Sequence, residues 1–453
     1  TASGAETLVV LNRFYDKVKR VQPRTSVKRV IATNIKEYLP AVLALAFTLL
    51  KESKDGERIT LGEGDFRFAD LLDEHRGEKG PNIRVAPDDP AVILMSGGTT
   101  GTPKGVVGIH RGMTIAGRQL QAWLRPAIKE WTDTIMLPLP LFHTYGNTGV
   151  QSLGLVNHNP IVLIPNPREI GDVVSEIERT RPSFICAVPP LLTGIMNHSR
   201  TRQGKVAFDS IKLCFCGAAP LMTETKRRWE ELTGGVIMEG YSLTEAQMAV
   251  VANPVLGEKK TGSVGMPLPD VEVRIVDDDG HTILPQGTVG EIVIGAPQLM
   301  RGYWRREDET HQILRTGDDG ERLLFTGDLG YLDEDGYLFI VDRKKDLIKT
   351  SGYQVWPREV EEVISAHPAV GECGVCGLPD ASRGEIVKAW VVLRPGASAT
   401  MDELKAFCRE RLAPYKVPSR WEFVDDLPKS TVGKVLRRVL RQRELEKEPQ
   451  PVG

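Results

Sequence analysis

Residues 96–105, Ser-Gly-Gly-Thr-Thr-Gly-Thr-Pro-Lys-Gly, gather four glycines, four hydroxyl side chains and a lysine in ten positions. Glycines let a backbone fold tightly and bring its N–H groups close to an anion, with no Cβ in the way. The hydroxyls of Ser96, Thr99, Thr100 and Thr102 add donors, and Lys104 adds a mobile positive charge. Such a set suits a polyphosphate. A plain hairpin turn needs two special residues rather than ten. The P-loop, G-x-x-x-x-G-K-[ST], does not fit either. Lys104 follows Pro103 instead of a glycine, and Gly105 stands where a magnesium-binding hydroxyl belongs.

Five further stretches carry chemistry. Gly240-Tyr241-Ser242-Leu243-Thr244-Glu245 follows the apolar Val236-Ile237-Met238 and places an aromatic, two hydroxyls and a carboxylate together. Mg2+ commonly takes one or two protein carboxylates and fills its shell from phosphate and water. Gly217-Ala218-Ala219-Pro220 follows a strand candidate and leaves a flat surface for a planar base. Asp342–Val355 (DRKKDLIKTSGYQV) is too specific in its ending for a merely charged linker. Pro428–Arg438 (PKSTVGKVLRR) reads in isolation as a basic C-terminal helix. Pro140–Gly146 (PLFHTYG) puts His143 just after a strand, where a packed histidine is the plain alternative. Thr-Gly-Asp occurs twice. Thr316–Asp318 runs into Asp319-Gly320 and reads as a solvated turn, whereas Thr326–Asp328 lies between apolar runs.

In their order along the chain these stretches, spanning residues 96–438, resemble the motifs of the adenylate-forming superfamily, which includes acyl- and aryl-CoA synthetases, luciferases and peptide-synthetase adenylation domains. The resemblance implies ATP/AMP contacts from Ser96, Gly97, Gly98, Thr99, Thr100, Gly101, Thr102, Lys104, Gly217, Ala218, Ala219, Pro220, Gly240, Tyr241, Ser242 and Arg343. It assigns Asp328, by its separation from Arg343, to the ribose hydroxyls. Thr244 would contact phosphate and Glu245 would help hold Mg2+. Lys434 would be the catalytic lysine, His143 would gate or orient the carboxylate, and Lys345 would be the hinge of a mobile domain. Lys349 and Gly352 would line the thiol tunnel. Amino-acid-activating relatives carry an Asp near His143 that is missing here, so a simple carboxylic acid is expected. Within the superfamily the chain most resembles bacterial long-chain fatty-acid CoA ligases, through the apolar run at 41–50, Phe68–Leu72 and the His143 region. The implied reaction joins a carboxylate to ATP, releasing pyrophosphate, and then passes the acyl group to coenzyme A. An aryl- or medium-chain ligase and a non-catalytic nucleotide- or acyl-binding remnant are the alternatives. A P-loop kinase would instead release ADP.

The elements that must position these residues follow from length and pattern. A chain of 453 residues exceeds what one hydrophobic core usually serves. The division expected is a large domain, 1–342, and a small mobile α+β domain, 343–453. Short apolar runs alternating with helical stretches from residue 7 to 238 predict doubly wound α/β sheets, with ligands beyond the strand carboxyl ends. From about residue 262 alternating strands and Asp277-Asp278-Asp279-Gly280 predict an appended antiparallel, barrel-like part. Pro357 near a helix start and Thr400-Met401-Asp402-Glu403, a capping box, predict two helices of the small domain. Family members extend ahead of the point where Thr1 falls, so the first sub-domain is expected to be truncated.

Net charge −2 offers no electrostatic case for nucleic acid. The six scattered cysteines suit a reducing cytoplasm. Cys373 and Cys376, three apart on a predicted strand, should point to opposite faces and form no redox pair. The run Ala41–Leu50 is too short to span a bilayer. It is expected to pack on the protein, with peripheral lipid contact as the alternative. Chain length of the acid and oligomeric state, including a homodimer, stay open at this level.

Overall fold

The computed structural model describes residues 3–96, 103–217, 221–317, 319–430 and 433–447. The chain divides into two units, Thr1–Ala86 and Pro87–Gly453, so the expected border at residue 343 falls inside the second. The first is a small parallel sheet of β1 (Thr7–Leu11), β2 (Arg29–Thr33) and β3 (Phe66–Arg67). Helix α1 (Tyr15–Val21) connects β1 to β2, the strand–helix–strand unit expected from the pattern. Tyr15, Val30 and Ala32 are its buried centre. Helices α2 (Ala41–Leu50) and α3 (Phe68–Glu74) also form as expected. Helix α2 packs only in part: Ala44, Ala46, Phe47 and Thr48 are half-buried, none of its ten residues is fully buried, and Val42 is 79% exposed.

The second unit opens with the hairpin β4 (Pro90–Ser96) and β5 (Lys104–Ile109), followed by α4 (His110–Leu124). Next in the chain come β6 (Ile135–Leu137), a π-helical turn Tyr145–Gln151, α5 (Ser152–Val156), β7 (Ile161–Leu163), α6 (Ile170–Thr180), β8 (Phe184–Ala187) and α7 (Pro189–Asn197). After α8 (Ser199–Arg202) follow β9 (Leu213–Cys216), α9 (Thr223–Thr233), β10 (Val236–Leu243), β11 (Met248–Ala252) and β12 (Met266–Pro267). These strands build a seven-stranded sheet in the order β12-β11-β10-β9-β8-β6-β7, parallel from β10 to β7. Successive strand residues supply opposite cores. Ile135, Leu137, Phe184, Cys186, Leu213 and Phe215 meet α4 and α5. Met136, Ile185, Ala187, Cys214, Cys216 and Ile237 meet α6, α7 and Trp229 of α9. Burial on both faces explains the nearly continuous apolar runs. The order reverses between β6 and β8, which opens a crevice beyond their carboxyl ends.

The second unit continues with β13 (Glu272–Val276), β14 (Gly290–Gly295), β15 (Gly302–Tyr303), α10 (Glu307–Ile313), β16 (Leu314–Thr316), β17 (Arg322–Leu332) and β18 (Leu338–Arg343). Strand β15 joins the β4–β5 hairpin as a three-stranded antiparallel sheet. The others form an antiparallel sheet in the order β13-β14-β17-β16, with β18 on β17. The barrel-like expectation is corrected on this point: among the described residues the sheet stays open, because β16 and β18 share one side of the long strand β17 and neither pairs with β13.

The remainder contains β19 (Ile348–Thr350), β20 (Tyr353–Val355), α11 (Pro357–Ser365), β21 (Val370–Asp380), β22 (Gly384–Leu393), α12 (Met401–Arg409), β23 (Arg420–Phe423) and α13 (Arg437–Lys447). It is a sheet ordered β20-β19-β22-β21, with β23 parallel to β22. The Thr400–Glu403 capping box closes reciprocally on α12. Cys373 packs with α11 and α12, while Cys376 packs on the other face with Leu427 and Leu440, as their spacing requires.

Candidate active site

Residues 97–103 connect β4 to β5 along the chain, and Ser96 stands opposite Lys104 in the ladder. The calls on Gly97, Gly98, Thr99, Thr100, Gly101 and Thr102 lie outside the described residues, as do those on Ala218, Ala219 and Pro220. The ends of the loop are described. Ser96 Oγ donates to the Lys104 carbonyl at 3.4 Å. Lys104 Nζ lies 2.6 Å from Glu309 Oε2 and 4.8 Å from the centre of the Tyr303 ring. Glu245, just past β10, accepts the Tyr303 hydroxyl at 2.8 Å on Oε1. One tyrosine therefore bridges the loop lysine and the carboxylate of the nucleotide motif.

A second cluster forms where β10 meets β17. Tyr241 is buried, and its hydroxyl donates to Asp328 Oδ2 at 2.5 Å. Burial, then the Asp328 charge, pushes the Tyr241 pKa well up. Register places Asp328 directly opposite Arg343 on β18, and Arg343 Nε is 3.2 Å from Asp328 Oδ1. Asp318 lies outside the described residues, and its neighbours form the expected turn, Gly317 N–H donating to the Glu321 carbonyl at 2.8 Å. Gly240 precedes Tyr241 in a place with no room for a side chain. A Cβ there would stand 2.5 Å from the Phe215 ring and 2.8 Å from the Val251 carbonyl. Ser242 and Thr244 are half-buried at the end of β10 and beyond it.

Lys434 enters from the C-terminal part. Its backbone closes a tight loop with Ser430, through Lys434 N–H on Ser430 Oγ at 3.1 Å and Ser430 N–H on the Lys434 carbonyl at 2.8 Å. Gly433, at φ +81°, makes the turn and lies against Pro190, beyond the carboxyl end of β8. The lysine is exposed, yet protein crowds its ammonium. Desolvation, then the Arg343 charge, lowers its pKa to about 8 against the opposing pull of Asp328. The tertiary structure thus gathers Tyr241, Asp328, Arg343 and Lys434, which are spread over nearly two hundred residues of chain.

His143 follows β6 and precedes the π-helical turn, an irregularity frequent at functional sites. Its Nδ1 accepts the Tyr145 backbone N–H at 3.2 Å, which leaves Nε2 to carry the proton of the neutral ring. Burial lowers its pKa and favours that neutral form. Tyr145 donates to the Phe215 carbonyl at 2.6 Å. The ring of Tyr145 closes against Gly217, and an apolar pocket lined by Leu120, Leu153, Phe184, Phe215 and Met248 lies beside it. Lys345 sits in the turn between β18 and β19, its pKa lowered by burial and then by Arg343. Lys349 and Gly352 are exposed on and beside β19, and Gly352 has φ +83°.

Among the described residues no group of three or more His, Cys, Asp or Glu side chains could cage a metal. A Mg2+ carried by phosphate asks for less. Glu245, whose Oε1 alone is held by Tyr303, fits the role of a single protein ligand. Tyr303 and Glu309 escaped notice in the sequence, and Arg437 was seen only as part of the basic Pro428–Arg438 stretch. Only strand pairing brings Tyr303 to Glu245, and nothing in its local pattern announces this.

Two family models match the chain: AMP-binding enzyme over residues 2–304, and AMP-binding enzyme C-terminal domain over residues 359–434. A long-chain-fatty-acid–CoA ligase of Bacillus subtilis is 36% identical over 440 residues, covering 97% of this chain and 77% of its own. A ligase of the same name from Escherichia coli is also 36% identical, with the same coverage. The ATP-bound structure of MatB from Rhodopseudomonas palustris superposes with a TM-score of 0.77 at 30% identity, covering 95% of this chain and 81% of that one. Matched along both its parts, the chain belongs to the AMP-binding enzyme family.

Proposed function

We propose that the protein is an ATP-dependent fatty acyl-CoA synthetase acting on medium- or long-chain acids. The observation that carries this is the convergence of Tyr241, Asp328, Arg343 and Lys434 beside the carboxyl ends of a parallel sheet. In the first step a carboxylate oxygen attacks the α-phosphorus of ATP, the bond to the β-phosphate oxygen breaks, and pyrophosphate leaves. In the second a CoA sulfur attacks the acyl carbon, the thiol proton is lost, and AMP departs. Positioning and charge neutralisation are the protein's main contributions to such chemistry.

Asp328 accepts the ribose hydroxyls, with Tyr241 and Arg343 fixing the carboxylate. Lys434 neutralises charge as the carboxylate attacks. Lys104 and Glu245 face the phosphates, and Glu245 would hold a phosphate-bound Mg2+, which would supply charge screening there. His143 orients the acid. Residues 343–453 act as the mobile domain, turning at Lys345 and leaving Lys349 and Gly352 beside the thiol.

The test is acid-dependent release of pyrophosphate and AMP from ATP, with CoA present, across acetate, octanoate, palmitate and benzoate. A rate rising with chain length is expected. Preference for benzoate would transfer the assignment to an aryl-CoA ligase, and ADP in place of AMP would overturn it.

A further inference from the structure

Lys104 does not stand free at the mouth of its loop. Its Nζ is 2.6 Å from Glu309 Oε2, and the two side chains are only 17% and 29% exposed. The other carboxylate oxygen, Glu309 Oε1, receives Arg306 Nη1 at 2.6 Å. An anionic oxygen thus already occupies the lysine that the proposed function assigns to polyphosphate. We propose that Glu309 is a resident counter-anion, which holds Lys104 until the phosphates of ATP displace it, and that Arg306 retains Glu309 once Lys104 has left. The inference rests on the reading of Lys104 as a phosphate ligand.

The pair is built into the backbone. Strand β15 binds β5 in register, Tyr303 opposite Val106, and the Trp304 N–H donates to the Gly105 carbonyl at 2.7 Å. Helix α10 is then turned back by Thr310, whose Oγ1 accepts the Tyr303 N–H at 2.9 Å. Glu309, one residue earlier, is thereby carried to the first residue of β5. The Tyr303 ring under Lys104 and its hydroxyl on Glu245 keep this exchange beside the carboxylate of the nucleotide motif. The lysine and the arginine both hold Glu309 in its charged form.

Two partners on one carboxylate make the exchange practicable. A half-buried carboxylate stripped of its only cation would be strongly unfavourable, whereas one still bound to arginine is not. ATP binding therefore trades one anion for another on Lys104. The same competition acts when pyrophosphate leaves, because Glu309 recaptures the lysine. Glu309 should weaken ATP and pyrophosphate binding alike and hasten product departure.

The experiment compares wild type, Glu309→Gln, Arg306→Ala and the double variant, reading KM for ATP, the inhibition constant of pyrophosphate and thermal unfolding. Glu309→Gln should lower both constants about two- to fivefold, the span expected for a partly screened ion pair. Arg306→Ala should raise both, since Lys104 is then the only cation left to Glu309, and that effect should vanish in the double variant. A purely structural Glu309 predicts the opposite sign, with weaker ATP binding and a lower unfolding temperature. An unchanged or raised KM in Glu309→Gln overturns the inference. Should that variant not fold, Arg306→Ala tests the same competition with Glu309 in place, and an unchanged or lowered KM overturns it. Wild-type protein that releases no pyrophosphate with any acid overturns the underlying function instead, so the two failures are distinguishable.

Discussion

At the scale of single residues, protonation and pairing govern what the site can do. With a pKa near 8, Lys434 is charged in neutral solution and loses its proton as pH rises through that value. If charge neutralisation is its task, kcat/KM for adenylation should fall above about pH 8. Lys434→Arg keeps its charge and should move that limb to higher pH. Lys434→Ala should lose adenylation yet still make thioester from supplied acyl-adenylate, and equal loss of both half-reactions would overturn its assignment. Asp328 has two partners, the Tyr241 hydroxyl and the Arg343 guanidinium. Tyr241→Phe removes a buried donor to a carboxylate, worth roughly 1.5–3 kcal/mol. The expected outcome is a KM for ATP raised about tenfold or more, measured at fixed acid and CoA, with the fold retained.

At the scale of elements, the close approach of strands decides which changes can be borne. Gly240 sits on β10 between β9 and β11, with the Phe215 ring on one side and the Val251 carbonyl on the other. Both obstacles belong to packed neighbours, so a methyl group cannot be accommodated by one flexible side chain. Gly240→Ala should destabilise the protein by about 1–3 kcal/mol through overpacking, read as a lower denaturant midpoint at unchanged slope. It should also shift Tyr241 and raise the KM for ATP. Helices α4 and α5 on one side of the sheet and α6, α7 and α9 on the other leave these strands no open face onto which to relax.

At the scale of the whole molecule, one arginine ties the C-terminal helix to the sheet that ends at Arg343. Arg437 Nη1 lies 2.8 Å from Asp342 Oδ1, and its Nη2 lies 2.5 Å from Glu361 Oε2 on α11. Asp342 also accepts the Arg358 backbone N–H at 2.7 Å on its other oxygen. Burial raises the Glu361 pKa while Arg437 pulls it down. Lys434 lies three residues before this arginine, so the same contacts hold the lysine toward Asp328. Arg437→Met would leave two largely buried carboxylates without their cation, and a stability loss of roughly 3–5 kcal/mol is expected. The adenylation rate should fall with it. Thioester formation from supplied acyl-adenylate should fall less, which separates a positioning role from simple unfolding.

Much was legible in the sequence because it depends on neighbours along the chain. Short apolar runs marked the strands of the parallel sheet, the Thr400–Glu403 box marked the start of α12, and a spacing of three sent Cys373 and Cys376 to opposite faces. The order of the motifs was enough to identify the family. Other features required the tertiary structure. The barrel expectation failed because closure depends on which edges meet, and β16 and β18 take the same side of β17. Helix α2 formed as expected, but the sequence could not say whether a partner face awaited it. The pairing of Tyr303 with Glu245 spans 58 residues, and that of Arg437 with Asp342 spans 95. Local propensity and turn chemistry act over a few residues, whereas the partner of a distant charge is set by strand register. The sequence by itself determined which chemical groups are present and which elements carry them. The tertiary structure alone decided that Lys104 meets Glu309, because only the pairing of β15 with β5 brings that helix to the first residue of β5.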